Sequence, residues 1–406
     1  MDKDNNLLQH ILGGLHDLLY IWADEMRSVF RDEGVLMFCL LVPLGYPLLY
    51  SWIYNNEVVR EVPTAVVDLS HSQDSRAFIR AFDASPDTRV AYYCNSLAEA
   101  EELVAKQQVN GTLYFPSNFA NKLARGEQAH VGVYCNMGLM LNYKAIYQTA
   151  QAVAGEQNAT LQLHQAGGMT QRDDELTTSP IDIAEVPIFN TTGGYGNAIL
   201  PAVLMLIIQQ TLLLGIGMSA GTARERNRNR ELVPLSEHHG GVFRIVLGKS
   251  LCYIMLYAVL SMYLALVVPR LFGFVSMVSW TTILGLLCPY ILACVSFGMA
   301  LSCLVRYREN VMLLVVFTSV PLLFLTGVSW PQSNIPGVWQ AISWLFPSTF
   351  GVRGFVGISS MGGSLADILP DFRALWLQAG AYFVLACGVY RHQMRMARGA
   401  ENESME

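Results

Sequence analysis

"YGNAILPAVLMLIIQQTLLLGIGMSA" (Tyr195–Ala220) contains no Asp, Glu, Lys, Arg or His. An apolar run of about 20 residues, rising 1.5 Å per residue, is long enough to cross the hydrocarbon of a bilayer as one helix. Five further stretches read the same way: 34–54, 245–268, 281–304, 310–328 and 374–390. The whole chain is 52% hydrophobic and 14% charged, whereas soluble domains carry about 25% charged residues. The expected fold is a polytopic α-helical membrane protein with six transmembrane helices. The net charge of -6 mixes membrane and soluble parts and says little about partners.

Outward from the quoted span, the character changes. Residues 55–192 have ordinary soluble composition, and strand and helix patterns alternate in them. "TAVVDL", "TRVAYYC", "GTLYF" and "AHVGVYC" read as strands. "SQDSRAFIRAF", "SLAEAEELVAKQQ", "SNFANKLARG" and about 139–165 read as helices. This alternation predicts an α/β domain inserted after the first span. Residues 1–33 precede the first span. Leu8, Leu12, Leu15, Leu19, Trp22, Met26 and Phe30 recur at helical steps, with Asp17, Asp24, Glu25 and Arg31 largely on the other side. That pattern suits an amphipathic helix lying on the membrane surface. The acidic start, MDKDNN, is not that of a cleaved leader.

Lys and Arg placement orients the chain. Arg27 and Arg31, the loop 221–241, Arg306 and Arg308, and Arg391, Arg395 and Arg398 all fall on one side of a six-span chain. Both termini, including the tail 392–406, are expected in the cytoplasm, with 55–192 outside. Residues 310–352 are uncharged but too long for one span, and Pro331, Pro336 and Pro347 interrupt them. A re-entrant segment over 329–362 is the expected solution, within the membrane block 193–391.

Several chemistries are absent. As the spans are drawn, none holds Asp, Glu or His, which argues against an ion-coupled transporter. "GKS" (Gly248–Ser250) lacks the glycine of a phosphate-binding loop, because Phe243 stands where it should be. No GxSxG, HExxH or Cys/His metal spacing appears, and no basic domain points to nucleic acid. Three sequons, at Asn110, Asn158 and Asn190, matter only in a glycosylating pathway. Cys94 and Cys135 each end a strand-like run, and an oxidising location would let them pair.

The loop "GTARERNRNRELVPLSEHHGG" (Gly221–Gly241) mixes arginines with Glu225 and Glu231, and Pro234 stops any helix it forms. A lipid anchor and a short helix over 222–232 that docks on a partner both fit.

The chain resembles the membrane subunit of type-2 ABC exporters, the ABC-2 permease family, in order along nearly its whole length. The resemblance rests on the amphipathic start and on "VPTAVVDLSHSQDSRAF" and "GTLYFPSNFANKLARGEQAHVGVY" in the insert. It rests also on "ARERNRNRELVPLS" followed by Gly248 and Lys249, and on "LTGVSWPQSNIPGVWQAISWLFPSTFGVRGF". It implies a non-catalytic permease in a bacterial inner membrane with a periplasmic insert. A separate ATPase would carry ATP and Mg, leaving no cofactor in this chain. The partners implied are that ATPase, a second permease copy or paralogue, membrane lipid, and a periplasmic adaptor with an outer-membrane channel. Coupling contacts would come from Arg224, Glu225, Arg228, Glu231, Leu232 and Lys249. An outer gate would be shaped by Trp330, Pro331, Pro336, Trp339, Pro347 and Phe350. Amphipathic or lipid-like cargo suits the uncharged spans. The other classes are a receptor or scaffold that binds an envelope partner through the insert, and a membrane-anchored enzyme.

Overall fold

The structure, a computed structural model, describes residues 2–55, 58–166, 188–190, 193–226, 232–236, 241–302 and 307–405, with the backbone alone for 2–12, 164–166 and 400–405. Arg228 and Glu231 lie outside the described residues. The chain divides into two compact units, one of residues 1–57 with 188–406, the other of residues 58–187.

In the larger unit α1 (Asp2–Arg31) runs to a sharp joint at Asp32. Asp32 is extended (φ -93°, ψ 107°), and its carboxylate accepts from the backbone N–H groups of Gly34 and Val35. It thereby ends α1 and caps the next helix, α2 (Glu33–Ile53), the first span. The remaining apolar helices are α7 (Tyr195–Glu225), α9 (Gly241–Leu271), α10 (Trp280–Leu301), α11 (Arg308–Leu325) and α14, whose apolar part is Leu369–Gly399 of Leu369–Met405. Among the described residues, six helices are therefore long and apolar enough to cross a membrane. The second and fourth are central, 78% of their apolar windows being buried, while the fifth is peripheral at 17%.

Two of these helices widen into a π turn, at Met37–Leu41 in α2 and Tyr263–Val267 in α9. Each turn is followed two residues later by a proline, Pro43 or Pro269. A proline offers no N–H, and its ring crowds the carbonyl four residues back. Here those carbonyls belong to Cys39 and Ala265, inside the π turns, and the wider turn relieves the clash. On α7, Gly217 and Gly221 sit one turn apart and face α11. A Cβ on Gly217 would meet the Val311 methyls at 2.7 Å, and one on Gly221 the Arg308 backbone at 2.9 Å. Small residues at this spacing let two membrane helices approach closely.

After α11, the chain breaks as the prolines require. Pro331 precedes a 3-10 turn (Gln332–Asn334), Pro336 is the N-cap of α12 (Gly337–Ser343), and Pro347 opens α13 (Pro347–Ser359). All three occupy positions where the missing N–H costs no intrahelical bond.

The smaller unit is an α/β layer. Strands β1 (Val62–Asp68), β2 (Thr88–Cys94), β3 (Gly111–Phe115) and β4 (Gly132–Cys135) form one sheet in the order β2-β1-β3-β4. The first three are parallel and β4 is antiparallel. Helices α3 (Gln73–Asp83), α4 (Leu97–Ala105), α5 (Phe119–Ala124) and α6 (Met140–Ala166) cover it. Alternation along β1 divides the core. Val62 and Val66 pack with Phe78, Phe82, Leu113 and Phe115, while Ala65 and Val67 face Ala100 and Val109.

The Cys94–Cys135 bridge that an oxidising location would allow is not formed. Both thiols are free. They end β2 and β4, the two outer strands, three inter-strand spacings apart, or roughly 14 Å. They also pack on opposite faces of the sheet. A disulfide needs Cα atoms within about 7 Å.

Candidate functional site

The polar residues of α1 do not all face away from the protein. Three carboxylates at intervals of eight and seven residues, Asp17, Glu25 and Asp32, each meet a basic side chain from the membrane helices. Asp17 Oδ2 lies 3.1 Å from an Arg244 guanidinium nitrogen. Glu25 Oε2 lies 2.7 Å from Lys249 Nζ. Asp32 receives both Arg308 terminal nitrogens, at 2.7 and 3.0 Å.

The middle contact is the most enclosed, with side-chain exposures of 12% for Lys249 and 7% for Glu25. Glu25 Oε1 also accepts from Ser219 Oγ of α7 and from Tyr253 OH of α9, each at 2.8 Å. One carboxylate thus joins three helices. Burial pushes its pKa up, but the Lys249 ammonium together with the Ser219 and Tyr253 hydroxyls outweighs burial and holds the carboxyl below its ordinary range. The close packing has a cause in sequence. Gly248 lies under α1, and a Cβ there would meet Ile21 at 2.9 Å and the Leu18 carbonyl at 3.1 Å. "GK" at 248–249 is therefore a packing glycine followed by an internal cation. Lys249, expected at an ATPase contact, points into the bundle.

Asp32 forms the second knot. Besides capping α2 and chelating Arg308, it accepts from Thr222 Oγ1 at 3.3 Å. Burial raises its pKa, while the Val35 N–H and the Arg308 charge lower it more, so it too stays below the usual carboxylate range. Glu225 Oε1 accepts from the Arg308 backbone N–H at 3.1 Å, at the opening of α11. Starts of the first, third and fifth spans and the end of the second are thereby gathered at one end of the bundle.

The other predicted residues fall as follows. Thr222–Glu225 continue α7 instead of starting a separate helix, and Arg226 caps it. Arg224 is half-buried on that last turn. Leu232 packs against the membrane core, just before α8 (Val233–Ser236), which includes Pro234. Trp330 and Trp339 are more than half exposed, whereas Phe350 packs on the core. The α12–α13 turn is held by groups that sequence reasoning missed. Gln209 of α7, 1% exposed, accepts from Ser348 N at 2.6 Å. Gln378 and Tyr382 of α14 donate to the carbonyls of Trp344 and Leu345. Broken backbone in a membrane bundle requires such partners.

Among the described residues no cluster of His, Cys, Asp and Glu could hold a metal ion. No curated protein matches the chain. The family model for ABC-2 family transporter proteins matches residues 34–387, taking in the smaller unit, Arg244, Lys249, Arg308 and the proline-broken segment after α11. Six apolar helices, a proline-broken segment before the last and a match over most of the chain agree: the protein belongs to the ABC-2 family of transporter proteins.

Proposed function

We propose that this multi-pass protein is the permease subunit of an ABC exporter, driven by a separate ATPase that carries ATP and Mg. The observation that carries this reading is the acid–base joint between α1 and the spans. A partner that pushed α1 would pull on the third span through Glu25 and on the second and fifth through Asp32. Slipping the buried Glu25–Lys249 contact instead would cost about 3–5 kcal/mol, so the motion passes to the spans. In this reading Arg224, Glu225, Arg228 and Glu231 contact the ATPase, Leu232 seats the loop, and Lys249 transmits from inside. Two copies, or a copy and a paralogue, make a twelve-span unit in an inner membrane. The outer path opens beside Trp330, Pro331, Pro336, Trp339, Pro347 and Phe350. The 58–187 unit then lies outside, where an adaptor leading to an outer-membrane channel would reach it. The cargo is amphipathic or lipid-like.

The test is copurification of the full chain with an ATP-binding subunit, followed by measurement of ATPase stimulation. Wild type should stimulate its partner, and Arg228→Glu with Glu231→Arg should abolish stimulation while leaving the permease folded. Recovery of the chain with envelope partners but never an ATPase would favour the scaffold reading instead.

A further inference from the structure

A cleft of about 610 Å³ opens where α1 meets α2, and four arginines are among its lining residues, Arg27, Arg31, Arg226 and Arg308. Three carboxylates share its wall: Asp24, Asp32 and Glu33. They do not neutralise it evenly. Asp32 is taken by Arg308, and Asp24 is already engaged. The side chains of Arg27, Arg31 and Arg226 have no ion-pair or hydrogen-bond partner among the described residues, and all three residues are exposed. Guanidiniums converging on one cleft match the oxygens of a phosphate, which they bind in pairs.

The surroundings say which phosphate. Gly34 lines the cleft at the base of the first span. Three and seven residues on, where the π turn begins and ends, Met37 is 50% and Leu41 66% exposed. Phe30, next to Arg31 in α1, is exposed as well. The charged cleft is therefore followed by exposed apolar side chains on a membrane span. Its shape matches a molecule with an anionic head and acyl chains.

We infer that this cleft is a binding site for one glycerophospholipid of net negative headgroup, its phosphate held by Arg27, Arg31 and Arg226 and its chains laid along Met37 and Leu41. The inference rests on the chain's crossing a membrane and not on the ATPase, so a binding measurement tests it separately from coupling. A zwitterionic headgroup is disfavoured because its cation would face three guanidiniums and only Glu33 to balance them.

The test uses the full chain, purified in detergent, stripped of lipid and titrated with phosphatidylglycerol or phosphatidylcholine under native mass spectrometry. One phosphatidylglycerol per chain should bind at least tenfold more tightly than phosphatidylcholine. The R27Q/R31Q/R226Q variant should erase that preference, and the R391Q/R395Q control, basic residues outside the cleft, should keep it. If the triple variant misassembles, R27Q and R226Q singly should each weaken binding about threefold. Equal binding of the two lipids would overturn the proposal, as would a preference that survives in the triple variant. Displacement of the bound lipid by millimolar inorganic phosphate would assign the cleft to free anions and overturn the lipid assignment.

Discussion

Replacing Glu25 by Gln is the most informative single change to the joint. The Glu25→Gln side chain keeps its shape, and its Oε1 can still accept from Ser219 and Tyr253. Its amide NH2, however, is set against the Lys249 ammonium, donor against donor. At 2.7 Å and an effective dielectric of about 20, the lost attraction is about 6 kcal/mol gross. Both groups gave up hydration worth several kcal/mol each to reach this site, so the intact pair contributes far less than that gross figure. The single variant leaves Lys249 buried without its counter-ion, and the expected cost is about 3–5 kcal/mol. Lys249→Met should cost a similar amount for the converse reason. The double variant Glu25→Gln/Lys249→Met removes both charges, keeps an oxygen that accepts from Ser219 and Tyr253, and should recover most of the loss. Reversible unfolding of the detergent-purified chain in increasing SDS measures all of these. A coupling of about 2 kcal/mol or more in the cycle is expected. Single variants that cost under about 1 kcal/mol, or costs that simply add, would show that the contact does not lock α1 and would remove the basis of the coupling argument.

The pH dependence has a definite sign. Folded Glu25 and Asp32 titrate below their unfolded range, so their contribution is complete at neutral pH and is lost as pH falls through the folded values; unfolding in SDS should become easier at acid pH, and the Glu25→Gln chain should lose part of that dependence. Asp32→Asn weakens the cap and the Arg308 pair together and should cost about 1–3 kcal/mol, read in the same assay. A Cβ on Gly215 would collide with Cys39 Sγ but sit 3.5 Å from its Cβ, so Gly215→Ala should destabilise by about 1–3 kcal/mol and Cys39→Ala should rescue it; failure of rescue would count against the packing of the first span on the second. Non-reducing electrophoresis should show no Cys94–Cys135 bridge, and alkylation of Cys135, whose thiol burial pushes up to about 11, should accelerate steeply as pH rises above neutral.

Apolar length and charge were enough to read the six spans, because a bilayer imposes both on any helix that crosses it. The strands of the smaller unit were equally plain. "GTLYF" is β3 residue for residue, and "TRVAYYC" is β2. What stayed hidden was pairing across distance. Periodicity placed Glu25 on the polar side of α1 and could not reveal that Lys249, 224 residues away, waits on the third span. A signal existed in the near-heptad spacing of Asp17, Glu25 and Asp32, joined to a lone lysine in an otherwise apolar run. The second span was also read short. Its polar end, Gly221–Glu225, looked like loop, yet α11 packs against it and keeps it helical. Gln209, Gln378 and Tyr382 could not be assigned from pattern, since their partners are backbone groups exposed only by the folded break.

The separation between the partners of each ion pair also sets a schedule. A ribosome adding about 5–20 residues per second needs on the order of 10–45 s after making Glu25 before Lys249 exists, and longer before Arg308 completes the contact with Asp32. Throughout that interval α1 carries carboxylates whose counter-ions have not yet been synthesised. A helix made before any of the spans is therefore among the last elements to be locked, and any chain cut short before its fifth span leaves Asp32 without Arg308. Such a product can still pair Asp17 and Glu25, and differs from the finished protein by one unneutralised carboxylate at the joint between α1 and the first span.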